Sequence, residues 1–192
     1  VAIDLVDRFR DAGTRLAAEK GIANLSFLQA DGCALPFATG AFDAVLANFV
    51  IAHFTKYKTA LFELKRVLRP GGRLGFTAWA DAEDDLARTW FELVQSVVPR
   101  EVVQAAMDER LPWRERFRQR LPLEEALMEA GIRQVRTEVR RYRFQYSLDE
   151  YVEGMGTWAT GRFVRSMLGE SGFAAFLGRA RAVFGERFAD PV

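Results

Sequence analysis

Leu25-Ser26-Phe27-Leu28-Gln29-Ala30-Asp31 and Phe42-Asp43-Ala44-Val45-Leu46-Ala47-Asn48 are two short apolar runs, each closing on a polar side chain. Runs of this length, bounded by turn residues (Pro36 and Gly40 lie between them), read as buried strands. Upstream, Val1-Ala2-Ile3-Asp4-Leu5 has the same form. Residues 7–20 separate it from the second run, with Phe9, Gly13, Leu16 and Ala17 at helical spacing and Gly21 where a helix stops. Downstream, residues 58–69 place Leu61, Leu64 and Leu68 on one helix face, Pro70-Gly71-Gly72 ends the helix, and Arg73 to Trp79 forms a fourth strand. Strands alternating with amphipathic helices predict an α/β fold with a doubly wound parallel sheet over residues 1–80.

Composition sets the outer bounds. The chain has 192 residues, 49% of them apolar, with 27 Lys+Arg against 26 Asp+Glu. That is one compact domain with room for an elaboration, far from the composition of a disordered chain. No apolar stretch approaches the roughly 18 residues a membrane helix needs, so no membrane partner is expected. The near-neutral net charge argues weakly against a chain that lives on nucleic acid, which needs a basic face, so no nucleic-acid partner is expected. One cysteine, Cys33, excludes a disulfide framework, and one histidine, His53, excludes a two-histidine metal site. No leader pattern is visible, which makes the cytoplasm the default location.

After Trp79 the rhythm changes. Residues 83–97, 101–110, about 114–120 and 122–130 read as helices, and residues 148–188 as helices broken by glycines. Between them, Gln134 to Tyr146 alternates apolar and Arg residues, predicting a late strand over about 133–146 that joins the sheet. The division expected is a nucleotide-binding core over 1–80 and a helical, substrate-side region over 81–192.

Ligands of open α/β sheets sit at the carboxyl ends of the strands. Those ends carry Asp4, Asp31 and Asn48. A carboxylate there can accept both hydroxyls of a ribose, although Asp4 alone would also serve as a helix N-cap and Asp31 as a turn former before Gly32.

Ala30-Asp31-Gly32-Cys33-Ala34-Leu35-Pro36-Phe37, followed by Gly40-Ala41-Phe42-Asp43-Ala44-Val45, resembles the D-x-x-x-LPF…FD-x-V core of class I S-adenosylmethionine-dependent methyltransferases. Glu63 to Leu74 resembles their E-x-x-RVLRPGG-x-L segment, in the same order and spacing. The resemblance is to the small-molecule, type 11-like members, a broad group that includes quinone-biosynthesis C-methyltransferases. It implies a Rossmann-like fold and S-adenosylmethionine as cofactor. By the same resemblance Asp4 and Leu5 belong to the cofactor site, with Asp4 holding the ribose hydroxyls. Asp31 accepts the adenine amino group, with the Gly32 and Cys33 backbone beside the ring. Asn48 and Phe49 lie near the methionine part and the transferring methyl. Val6 stands where relatives often carry a small polar group.

The glycine-rich turn of such proteins would stand about 20 residues before Asp4, ahead of Val1, and a last strand would follow Val192. The resemblance therefore implies a sheet divided between the Asp4 and Asn48 strands. Gly154-Met155-Gly156 is the one G-x-G in the sequence, but it follows a helical stretch and reads as a kink or lid.

The function expected is methyl transfer to oxygen, carbon or nitrogen of a small-molecule acceptor. Asn48-Phe49-Val50-Ile51 lacks the Asn-Pro-Pro-aromatic turn of enzymes that methylate planar nitrogens. His53 is the candidate catalytic base, its alternative being a residue that fills space beside Phe54. Cys33 has no partner base that would make it a nucleophile. Trp90, Trp113, Phe117, Tyr142, Phe144, Tyr146, Tyr151, Trp158 and Phe163 offer either an apolar acceptor site or ordinary core. The Arg114–Arg120 run is either an anion grip or a solvated face. Rival readings are a non-catalytic binding protein on the same fold and a dinucleotide oxidoreductase, the latter having no counterpart of the Asp31–Phe37 segment. No metal is expected, and a homo-oligomer is left open.

Overall fold

The computed structural model describes residues 1–81 and 84–188. Its first half is two βαβ units. β1 (Ala2–Asp4), α1 (Asp7–Glu19) and β2 (Phe27–Gln29) make the first. β3 (Phe42–Asn48), a 3₁₀ turn (Ile51–His53), α2 (Tyr57–Val67) and β4 (Leu68–Thr77) make the second. Both strand pairs are parallel, as helical crossovers require. Among the described residues β1 pairs only with β2, and β3 only with β4, so the sheet is divided between the Asp4 and Asn48 strands, as the motif register implies.

Apolar side chains of the strands remain exposed. β3 turns Val45 and Ala47 toward the core, but Leu46 on its other face is 82% exposed, and Leu5 after β1 is 65% exposed. These strands are therefore not buried on both faces, as their continuous apolar sequence suggests. α1 ends as predicted, with Gly21 at φ +65° and the Ile22 amide donating back to the Ala17 carbonyl at 2.8 Å. α2 stops two residues before the predicted end. The chain enters β4 at Leu68, and Pro70-Gly71-Gly72 forms an irregularity inside the strand, where pairing jumps from Phe42–Leu68 to Ala44–Arg73.

Two compact units emerge, and their boundaries differ from the expected ones. The first comprises 1–80 with 111–138, the second 81–110 with 139–192. The helix pair α5 (Arg114–Phe117) and α6 (Arg120–Glu129) thus belongs with the strands: Phe117, Ala126 and Leu127 are buried with Ile51, Tyr57, Leu61, Leu64 and Val67. Tyr57 is the hub of this core, edge-on to both Trp113 (4.8 Å) and Phe117 (5.0 Å).

The second unit contains α3 (Asp85–Gln95), α4 (Arg100–Arg110), α7 (Leu148–Thr157) and α8 (Ala159–Arg187), the last interrupted at Gly169. The expected 83–97 helix starts at Asp85, capped by the Asp84 carboxylate on the Leu86 and Ala87 amides; residues 82, 83 and 189–192 lie outside the described residues. Trp90, Val94, Val152, Val164, Phe173 and Phe184 form its core, and the Trp90 indole donates to the Thr160 hydroxyl at 3.0 Å. Trp90 and Phe117 are core residues rather than an acceptor wall.

Residues 133–146 contain no strand, which corrects the expectation of a late strand joining the sheet. Their alternation supplies two faces, but among the described residues no ladder forms on any strand edge, and Gln134 breaks the extended run at φ +58°. Tyr142, Phe144 and Tyr146 are left exposed, in contact with one another along the segment.

Candidate functional site

The register of β1 on β2 sets Asp4 opposite Gln29, so the two strands end side by side. Beyond the strands, the Ala30 amide donates to the Asp4 carbonyl (3.0 Å) and the Gln29 side-chain amide to the Leu5 carbonyl (3.0 Å). Asp4, Leu5 and the start of the Asp31 turn are thereby joined. Each acid makes the same local device. Asp4 Oδ1 accepts the Val6 amide at 2.8 Å, and Asp31 Oδ1 accepts the Cys33 amide at 2.8 Å. In each, one carboxylate oxygen orients the side chain on the backbone two residues ahead, and the Cys33 thiol also bonds to the Asp31 carboxylate. Asp4 is not the N-cap of α1; that position is Val6, which has no capping side chain. Asp4 also lines a groove of about 340 Å³ between the β1–β2 pair and α1, with Ile3, Phe9, Gly13 and Leu28.

The loop from Asp31 onward lies against the segment that follows β3. A Cβ on Gly32 would come within 2.7 Å of the Phe54 ring, so only glycine fits there without a shift. Cys33 is half-buried, with Sγ 3.8 Å from the Lys56 carbonyl. Burial, and then the neighbouring Asp31 carboxylate, push its thiol pKa up, which opposes any nucleophilic role.

The β3–β4 pair ends in a second cluster. Thr77 donates its hydroxyl to Asn48 Oδ1 at 2.5 Å and accepts the Phe49 amide at 3.0 Å, while its carbonyl accepts the same amide at 3.2 Å. These bonds hold Phe49 at φ +53°, a left-handed conformation that bulky residues rarely adopt. Its ring stacks on Trp79, centroids 4.4 Å apart, and both rings are open to solvent at the carboxyl ends of their strands. Thr77 and Trp79 were not among the predicted site residues. The register Asn48–Thr77 shows the available signal: the strand-end rule applies to the fourth strand as well. His53 closes the 3₁₀ turn, exposed and without a side-chain hydrogen bond among the described residues.

Two side chains of α2 complete the region. Arg66 makes a two-pronged pair with Glu63 (Nε–Oε1 2.7 Å, Nη2–Oε2 2.8 Å). The Leu35 amide donates to Glu63 Oε2 at 2.8 Å, and Arg66 donates to the Leu35 and Phe37 carbonyls at 2.9 and 2.7 Å. The Arg66 guanidinium holds the Glu63 carboxyl below the usual carboxylate range. The Arg114–Arg120 run is largely spent on internal ion pairs, Arg114 with Glu115 and Arg120 with Glu124.

Residues 1–76 match the family described as Methyltransf_11, a methyltransferase domain. Over 60 residues the chain is 53% identical to the demethylmenaquinone methyltransferase of Thermus thermophilus, a stretch that is 31% of this chain and 27% of that protein. Over 75 residues it is 43% identical to the ubiquinone/menaquinone biosynthesis C-methyltransferase UbiE of Dinoroseobacter shibae, covering 38% of this chain and 30% of the relative. The aligned stretches thus span about 30% of these relatives. The fold is shared more widely. The YcgJ protein of Bacillus subtilis superposes with a TM-score of 0.54 at 21% identity, covering 88% of this chain and 66% of the other. A putative methyltransferase of Bacillus halodurans C-125 gives 0.54 at 19%, covering 85% and 64%. Residues 1–76 are therefore similar to a methyltransferase domain, and the chain shares its α/β fold with these solved structures.

Proposed function

We propose that the protein transfers a methyl group from S-adenosylmethionine to a small-molecule acceptor. The observation that carries this reading is the pair of carboxylates, Asp4 and Asp31. Each is pinned by one oxygen at the end of an adjacent parallel strand, within a stretch that matches the methyltransferase family.

The residues present fit the donor. Asp4 would accept the ribose hydroxyls and Asp31 the adenine amino group, each through its second carboxylate oxygen. The absence of a side chain at Gly32 keeps the backbone low beside the ring. Asn48 and Phe49 would border the methionine part, with Thr77 fixing both. When bound, S-adenosylmethionine supplies a methyl already activated by its sulfonium charge, so the protein's work is alignment and exclusion of water. The stacked rings of Phe49 and Trp79 offer an apolar wall for that purpose. His53, exposed at the turn after β3, is placed to take a proton from an acceptor that must lose one.

Both relatives named above carry quinone-biosynthesis names, so acceptors of that kind are the first to try. Calorimetry of the full-length protein with S-adenosylmethionine and with NADH tests the reading. Binding of the methyl donor and not of NADH is expected; NADH alone binding would replace the reading with that of an oxidoreductase.

A further inference from the structure

We propose that Glu63 and Arg66 are positioning residues that hold the Asp31–Phe37 loop in its binding shape before the methyl donor arrives. The inference rests on the donor reading of that loop and adds what prepares it.

Satisfying each other within α2 would need only their mutual contact. Both go further. The pair is mostly shielded from solvent, with side-chain exposures of 23% for Arg66 and 12% for Glu63, and its remaining valences go to the loop backbone. Leu35 is gripped on both sides, its amide by Glu63 and its carbonyl by Arg66, and the Phe37 carbonyl by Arg66 as well. A loop with no strand partner thus has its polar groups met by two side chains of one helix.

The grip reaches the binding residues because little chain intervenes. Only Gly32, Cys33 and Ala34 separate Asp31 from Leu35. The Asp31 carboxylate on the Cys33 amide and the Ala34 amide on the Asp31 carbonyl (3.0 Å) close that turn. Leu35 is itself buried, so its position is fixed from the apolar side too. A displacement at Leu35 therefore carries to the Asp31 carboxylate. An ion pair between α2 and α6 provides the contrast: Lys58 and Glu129 meet at 3.1 Å, both well exposed, and neither bonds the backbone of that loop among the described residues. A loop ordered in advance spares its ligand the entropy of ordering it.

The test combines site-resolved amide hydrogen exchange with S-adenosylhomocysteine calorimetry on the full-length protein and three variants. Arg66→Met is expected to speed exchange of the Leu35 amide and to weaken binding about tenfold, the loss of a charge-assisted grip. Arg66→Lys, which keeps the charge but lacks the planar fork that meets the carboxylate and both carbonyls together, is expected to fall between. It also serves if the methionine variant does not fold. Lys58→Ala is expected to change neither readout. A variant whose melting temperature falls while Leu35 exchange and affinity stay unchanged overturns the proposal, because that is what a purely structural pair would give. So does faster exchange with unchanged affinity. Failure of the unaltered protein to bind S-adenosylhomocysteine would instead overturn the donor reading, and this inference with it.

Discussion

The hydroxyl of Thr77 lies 2.5 Å from Asn48 Oδ1 and also receives the Phe49 amide, so one side chain on β4 fixes two residues at the end of β3. Backbone strain concentrates where function needs a fixed shape, and Phe49 at φ +53° is such a point. Removing the hydroxyl releases both bonds at once. Thr77→Val is expected to cost about 1–2 kcal/mol in urea unfolding. It should also lower turnover by more than the folded fraction explains. Full turnover in a protein destabilised by that amount would detach this corner from the chemistry.

Gly32 faces the Phe54 ring with no room for a Cβ. Gly32→Ala should push the ring or the loop aside, at about 1–3 kcal/mol, the usual range for overpacking. Because the loop carries Asp31, donor affinity should fall in the same variant. Affinity equal to that of the unaltered protein would show that the ring alone yields and that the loop keeps its place.

The Glu63 carboxyl is held below its ordinary range first by Arg66 and then by the Leu35 amide, against its own desolvation. A depressed carboxyl contributes stability that is full above the ordinary glutamate pKa of about 4.3 and declines as pH falls through the folded value. Exchange of the Leu35 amide, referenced to its intrinsic rate at each pH, should lose protection below about pH 4. Glu63→Gln should flatten that dependence, and a slope retained in the variant would assign it to other groups.

Burial, with the Asp84 carboxylate adding to it, raises the Tyr151 phenol to about 12. An unfolded tyrosine ionises near 10, so between about pH 10 and 12 unfolding releases a proton and stability falls as pH rises. Denaturant unfolding over that window should show the slope in the unaltered protein and a weaker one in Tyr151→Phe. The same slope in both would place its origin elsewhere.

Much of the first unit is legible in its sequence. Asp4, Asp31 and Asn48 end apolar runs, and those runs end strands; Gly21 and Gly131 stop helices at positive φ, as glycines in those positions should. The Asp31–Phe37 and Glu63–Leu74 motifs locate the loop and the helix, and the family match ends at residue 76. What sequence could not give is pairing. Gln134 to Tyr146 has a strand's alternation, but alternation says which faces differ and not whether a ladder forms. The placement of 111–138 with the strands rests on Phe117, Ala126 and Leu127 meeting Tyr57 and Leu61, a contact between segments some 60 residues apart that no local period records. Thr77 and Trp79 escaped because the strand-end rule was applied to three strands and the fourth was read only as the partner that follows Pro70-Gly71-Gly72. Glu63 and Arg66 were visible as motif letters; their grip on Leu35 and Phe37 needed the geometry.

The central claim is that Asp31 belongs to a methyl-donor site. Titration calorimetry of S-adenosylmethionine into the full-length protein and its Asp31→Ala variant tests it most directly. The account predicts binding by the unaltered protein and a loss of about 1–3 kcal/mol in the variant, the cost of removing a charge-assisted hydrogen bond. Equal affinity in the two proteins would remove Asp31 from the site and contradict the account.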